Sequence, residues 1–516
     1  MMHGFRRDAP EILAELEALR AADAPTHGGR VLSYVYDSGL AELDELAADA
    51  ARLVQPVNGL DPTTFTSVAA MEVGVVGFAR RVLGGAEDDE IAGSVTSGGT
   101  ESCLLAVKSA RDLWRSVRAG TPRVPRVVAP VTVHAAFHKA AEYFGLELDL
   151  VPVDPATGAV SATAIEERLG DDVALVVVSA PSYPFAALDP VVDVAAITAR
   201  RGIALHVDAC IGGFALAFWP EELPAWNLSV PGVTSLSADL HKYGYAPKGV
   251  SVLLTRGRDR QRFQYFATTA WPGYPVVNPT LMGSKPAGPL AAAWAIIEAL
   301  GDDGFTGLTA QAARATGALR EVVAGIEGLT VVGEPTGPLF AVATDESVPA
   351  GRRVDPHHWA DAARAAGWHL QLQPALTQAD GTRLPHTTHL TVTPVTKTVV
   401  GELSQALVAA ADAVRGEPAV DGAALVAALA DSVPGGLDAL AGASAGLDSE
   451  SAAGLLRAFG LLGGVAPDDE TTGSAGALPD TLAPVLALVE ELPPQLTERL
   501  LIELLARVVE PVRDRG

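Results

Sequence analysis

Ser-Ala-Asp-Leu-His-Lys-Tyr-Gly-Tyr-Ala-Pro-Lys-Gly, residues 237–249, carries two of the six lysines in a 516-residue chain. Of 37 basic residues the other 31 are arginines, so lysine is not the general solubilising cation here. An amine can be desolvated, deprotonated and condensed with a carbonyl, whereas a guanidinium cannot. Upstream, Leu-His-Val-Asp-Ala-Cys-Ile-Gly-Gly-Phe (205–214) places Asp208 at the end of an apolar strand pattern. An amine for an aldehyde (Lys242) and a carboxylate for a pyridinium nitrogen (Asp208) are the two requirements of a pyridoxal phosphate (PLP) site.

The flanking sequence supplies a matching scaffold. From about 60 to 304, strand-length apolar runs alternate with helical stretches. The runs are Val127–Val131, Leu146–Val153, Val173–Ser179, Ala204–Asp208 and Ser251–Thr255; the helices include Glu101–Val117 and Val191–Arg201. Near-continuous apolar strands alternating with helices predict an α/β fold, a mostly parallel sheet covered on both faces. Residues 1–59 read as an N-terminal helical segment with a short extended piece at Val31–Tyr36. Residues 305–416 read as a smaller α+β domain, with strands at Leu329–Val332, Leu339–Thr344 and His389–Thr393 before a helix at Val399–Val414. Beyond 417, Ala, Gly, Leu and Asp dominate, and Ala423–Ala430, Ser451–Leu462, Thr481–Leu492 and Gln495–Val509 predict an appended helical extension outside the catalytic unit.

Composition excludes several other classes. With 48% apolar and 19% charged residues the chain is not disordered. A formal charge of −25 argues against nucleic acid or an anionic membrane as partner. Two cysteines, Cys103 and Cys210, make no disulfide framework and lack metal-ligand spacing, so no metal is expected. No apolar stretch approaches the ~20 residues that span a bilayer, and the first residues lack a signal-peptide core. The expected location is the cytoplasm.

Other candidate residues carry ordinary readings beside functional ones. Ser-Val-Thr-Ser-Gly-Gly-Thr-Glu-Ser (94–102) ends a strand-like piece and opens a helix, the arrangement of a phosphate cradle; without a ligand it is a common helix cap. His134, at a strand–helix junction, is placed to stack on a pyridine ring or simply to cap its helix. Asp208, buried on a strand, needs a partner. Lys248 cannot carry the same Schiff base as Lys242. It is either a solvated turn lysine or an anion-binding group for the substrate.

Together these motifs resemble the sphingosine-1-phosphate lyases, within the PLP-dependent (group II) amino-acid decarboxylases. The resemblance runs from about 31 to 415 and is strongest in 95–102, 133–145, 206–214 and 237–249. It implies a fold-type I (aspartate aminotransferase-like) homodimer with active sites at the subunit interface. By resemblance, Lys242 forms the Schiff base, Asp208 binds the ring nitrogen and His134 stacks on the ring. Gly99, Thr100 and His241 surround the cofactor phosphate, with Ser284 given by the partner subunit. Tyr36, Asn58 and Lys248 are assigned to substrate. Glutamate-type decarboxylases commonly read Ala-Pro-Leu-Gly where this chain has Ala-Pro-Lys248-Gly, and Asp-Ala-Ala where it has Asp-Ala-Cys210. Phe185, Tyr34-Val35, Trp271–Tyr274 and Lys285 depart from the lyase pattern around the presumed substrate pocket.

The expected function is a PLP-dependent carbon–carbon lyase that cleaves a phosphorylated β-hydroxy amine to an aldehyde and phosphoethanolamine. An amino-acid decarboxylase and a scaffold built on a PLP fold are the alternatives. Which bond breaks depends on which is held perpendicular to the ring.

Overall fold

The computed structural model describes residues 6–118, 123–430, 447–462 and 479–511. Its centre is a seven-stranded sheet made of β1 (Ile91–Thr96), β2 (Arg126–Pro130), β3 (Glu147–Val151), β4 (Val173–Ser179), β5 (Ala204–Asp208), β6 (Ser235–Ala238) and β7 (Ser251–Arg256). The order is β1-β7-β6-β5-β4-β2-β3. Strands β2 to β6 pair in parallel, and β7 runs antiparallel to both β6 and β1. All seven residues of β4 are buried. Val176 and Val178 join the core on one face, with Phe78, Phe214 and Phe305; Leu175 and Val177 join the other, with Trp114 and Phe137. That two-sided burial explains why β4 reads as an unbroken apolar run.

The smaller domain has a four-stranded antiparallel sheet ordered Leu329–Val331, Leu339–Thr344, Thr387–Thr391, Gln371–Gln373. Trp359, Trp368 and Phe340 are fully buried in its core. The helix Gly288–Ala324 continues through residue 304, so the two domains share it, with a break in helical geometry at Gly301. Val31–Tyr36 forms no strand: Val31 makes one isolated bridge, to His369. Polar turns on both sides leave this piece too short for a ladder.

Among the described residues, the C-terminal unit comprises helices Gly422–Ala430, Ser449–Ala458, Ala483–Glu491 and Pro494–Val508. A separate small core built on Leu456, Leu488, Leu496 and Leu500 holds it together. Asp361 of the smaller domain caps it from outside, its carboxylate accepting the backbone N–H groups of Leu482 and Ala483 at 2.9 Å. Among the described residues no helix is long and apolar enough to cross a membrane.

Candidate active site

Parallel strands deliver their carboxyl ends to one edge of the sheet, where α/β proteins bind ligands. Asp208 ends β5 in register with Ser179 of β4 and Ser237 of β6. Its Oδ1 accepts the Cys210 backbone N–H at 3.0 Å, which fixes the carboxylate. Behind it, buried His206 lies between Ser235 Oγ (2.9 Å) and Ser237 Oγ (3.1 Å). Burial holds that imidazole near pH 4, hence neutral, though Asp208 pulls the other way.

Asp208 opens into a cavity of about 580 Å³ that is also lined by Tyr36, Thr132, His134, Tyr183 and Lys242. Lys242 Nζ lies 3.0 Å from Asp239 Oδ2, and His241 Nε2 lies 3.5 Å from the same oxygen. Burial works to lower the Lys242 amine, but Asp239 overrides it and holds the amine above the ordinary lysine range. Burial likewise works to raise Asp239, and Lys242 and His241 hold it below the ordinary carboxylate range. The pair is ionic on both counts.

His134 caps its helix and also lines the cavity. Its Nδ1 accepts the Ala136 N–H at 3.2 Å as a helix cap, while the exposed ring lines the cavity. Gly99 and Thr100 start the helix Gly99–Val117 just past β1. A Cβ on Gly99 would stand 2.6 Å from Asp239 Oδ2 and 2.9 Å from Cys210 Sγ, so only glycine lets this helix start lie against the Lys242 ion pair. His241 adjoins Gly98.

Lys248 lies exposed on the turn that follows Lys242. Its Nζ donates to the His241 carbonyl at 3.1 Å and lies 4.5 Å from the centre of the Tyr36 ring. Burial of the ammonium end and the charge of Lys242 bring it down to about 8. Burial pushes Tyr36 up to about 12. Asn58 and Ser284 are not brought to this cavity. Asn58 Nδ2 donates to Ser284 Oγ at 3.2 Å, and Ser284 lines a second cavity of about 1340 Å³ beside Lys285 and Tyr274.

Sequence reasoning passed over Asp239, Thr132 and Tyr183. Asp239 carried a usable signal: a carboxylate three residues before the key lysine, inside the quoted motif. Thr132 and Tyr183 carry none, because ordinary loop residues become pocket walls only through the fold.

The residues fit PLP. Amine, carboxylate and imidazole converge on one cavity from separate elements, the helix start beside it is stripped of side chain at Gly99, and buried Thr132 Oγ1 has no partner among the described residues.

Residues 35–271 match the family "Pyridoxal-dependent decarboxylase conserved domain". The sphingosine-1-phosphate lyase of Oryza sativa subsp. japonica is 32% identical over 416 residues, covering 79% of this chain and 74% of its own. That of Dictyostelium discoideum is 34% identical over 363 residues, covering 70% of this chain and 66% of its own. The solved Burkholderia pseudomallei sphingosine-1-phosphate lyase superposes with a TM-score of 0.72 at 31% identity, over 81% of this chain and 94% of that one. The chain belongs to the sphingosine-1-phosphate lyase family. It is a PLP-dependent lyase of fold-type I, in agreement with the sequence reading. Lactobacillus brevis glutamate decarboxylase, at 18% identity and a TM-score of 0.71, shares the fold alone. The C-terminal unit, whose role the sequence left open, matches "Pyridoxal-dependent enzyme, C-terminal putative HTH domain" over 423–507.

Proposed function

We propose that this chain cleaves the Cα–Cβ bond of a phosphorylated β-hydroxy amine, releasing an aldehyde and phosphoethanolamine. The observation that carries the reading is Lys248. A second ammonium, apart from the Lys242–Asp239 pair, stands over Tyr36 where a substrate anion could meet it. Lys242 would hold the cofactor aldehyde, Asp208 the ring nitrogen and His134 one ring face. Gly99, Thr100 and His241 would surround its phosphate. Bound there, PLP supplies an electron sink for the pair released when a bond at Cα breaks.

The protein's own share is orientation and proton handling. Asp208, fixed by Cys210 N–H, would hold a carboxyl oxygen where a protonated ring nitrogen is needed. Lys248 Nζ, brought down to about 8, would meet the substrate phosphate as a cation. Tyr34, Phe185, Ile211 and Leu372 make much of the remaining wall apolar, which suits an aliphatic chain.

Ser284 and Asn58, held together on a different face, support a homodimer in which Ser284 serves the partner's site. A cytoplasmic location fits the absence of a membrane-crossing helix among the described residues. The test is product analysis with a phosphorylated long-chain β-hydroxy amine beside a panel of amino acids. An aldehyde product supports the lyase reading, and carbon dioxide from an amino acid replaces it with a decarboxylase.

A further inference from the structure

One side chain of the C-terminal unit reaches the wall of the active-site cavity. Glu490 closes the helix Ala483–Glu491, and its side chain is only 8% exposed. Its Oε1 accepts the Ala375 backbone N–H at 3.0 Å, and its Oε2 receives Arg383 Nη2 at 3.0 Å. His386 Nδ1 lies 3.6 Å from Oε1, while His386 Nε2 lies 2.8 Å from Asp355 Oδ2. Ala375 and Pro385 themselves line the cavity, with Leu376 and Leu384 between them.

Those residues frame a small hairpin, Leu376–Thr377 paired with Arg383–Leu384. Its turn is pinned to the large domain: Gln378 accepts the Val153 N–H and donates to the Val153 carbonyl, both at 2.8 Å. The hairpin is therefore suspended between Val153 at its turn and Glu490 at its base. Two strands of two residues cannot hold a fixed position alone, so these outside contacts decide where this wall stands.

A metal clip was the competing reading, since ligand atoms of His357, His386 and Glu490 lie within 4.8 Å of one another. Both Glu490 oxygens are already engaged, and one faces the Arg383 cation, which a metal would have to displace. His357 Nε2 is also committed, 3.0 Å from the Gln373 carbonyl. The hydrogen-bonded clamp accounts for every one of these groups.

We infer that Glu490 is a positioning residue for substrate: through Ala375, Arg383 and His386 it sets the small-domain wall of the pocket, and the C-terminal unit is thereby part of the binding site. The inference rests on the reading of this cavity as the substrate pocket. It is tested on full-length holoenzyme by amide hydrogen exchange over 374–385 and by steady-state kinetics with the phosphorylated amine. Glu490→Ala should speed exchange at the hairpin and raise KM about tenfold, the value of one charge-assisted hydrogen bond. The kcat should stay within about twofold and the PLP absorbance should be unchanged. Glu490→Gln keeps an acceptor for Ala375 N–H but loses the charge facing Arg383 and His386, and should fall between. If Glu490→Ala does not fold, Glu490→Gln and Arg383→Gln carry the test. Wild-type exchange and wild-type KM in the folded variants overturn the inference. Exchange that rises while the wild type turns over no phosphorylated amine supports the clamp and removes the substrate reading instead.

Discussion

Lys242 and Asp239 sit one turn apart, and each explains the other's charge. As an ammonium in an ion pair, Lys242 is held ready and protected from unspecific reaction, yet it must give up a proton before it can condense with an aldehyde. We expect Lys242→Ala to retain the fold and form no reducible linkage to PLP. Borohydride reduction and peptide mass spectrometry should find the pyridoxyl label on Lys242 in the wild type, and a label on Lys248 or Lys285 would reassign the site. Asp208→Asn should fold and bind cofactor but lose activity by about 10²–10³-fold, as when one preorganised electrostatic group is removed. Near-normal turnover would reduce Asp208 to a structural carboxylate. Lys248→Leu should raise KM for a phosphorylated amine about 10- to 150-fold, from ~1.5–3 kcal/mol for a charged hydrogen bond, with unchanged PLP absorbance. Equal loss on unphosphorylated substrates would end its role in phosphate recognition.

At the level of elements, the hairpin clamp carries its own pH signature. Burial works to lower His386, but Asp355 and Glu490 raise it to about 9, from an ordinary 6.5. The groups facing it are Asp355, Glu490, the stacked ring of His357 and, across Glu490, Arg383. Because the folded value is the higher one, its contribution is complete below pH ~6.5 and is lost as pH rises through about 9. KM should therefore climb over that interval, and Glu490→Gln should flatten the part due to the clamp. Under the proposed function the rest belongs to Lys248, which discharges near 8. A pH series of both proteins separates the two.

Elements also show what the sequence could and could not reveal. Strands such as Val173–Ser179 and Ala204–Asp208, and the helix Val191–Arg201, have the predicted limits because two-sided burial leaves an uninterrupted apolar signature. The four-residue β6 (Ser235–Ala238) escaped notice, being half serine. Both serines are buried and hydrogen-bonded to His206. Lys242, Asp208 and His134 were legible since each sits inside a motif with a chemical reason for its residue types. Glu490 was not. It is one acidic residue among many in a helical segment, and its target lies 115 residues away.

Over the whole molecule the formal charge is −25, so an anion is not drawn by the protein at large; under the proposed function Lys248, outside the Lys242–Asp239 pair, is the cation left to meet it. Association of two copies should be visible as twice the 53.1 kDa chain mass in solution, and a monomer at working concentration would remove the shared-site proposal for Ser284. Among the described residues the C-terminal unit has far fewer core residues than the sheet domain, and small cores yield first on heating. If its melting frees the hairpin, heat inactivation has two stages: an early, reversible weakening of substrate affinity while the yellow cofactor colour persists, then loss of both at the transition of the sheet. The enzyme would thus dim with temperature before it breaks, its appetite for substrate set by the least stable part of the chain.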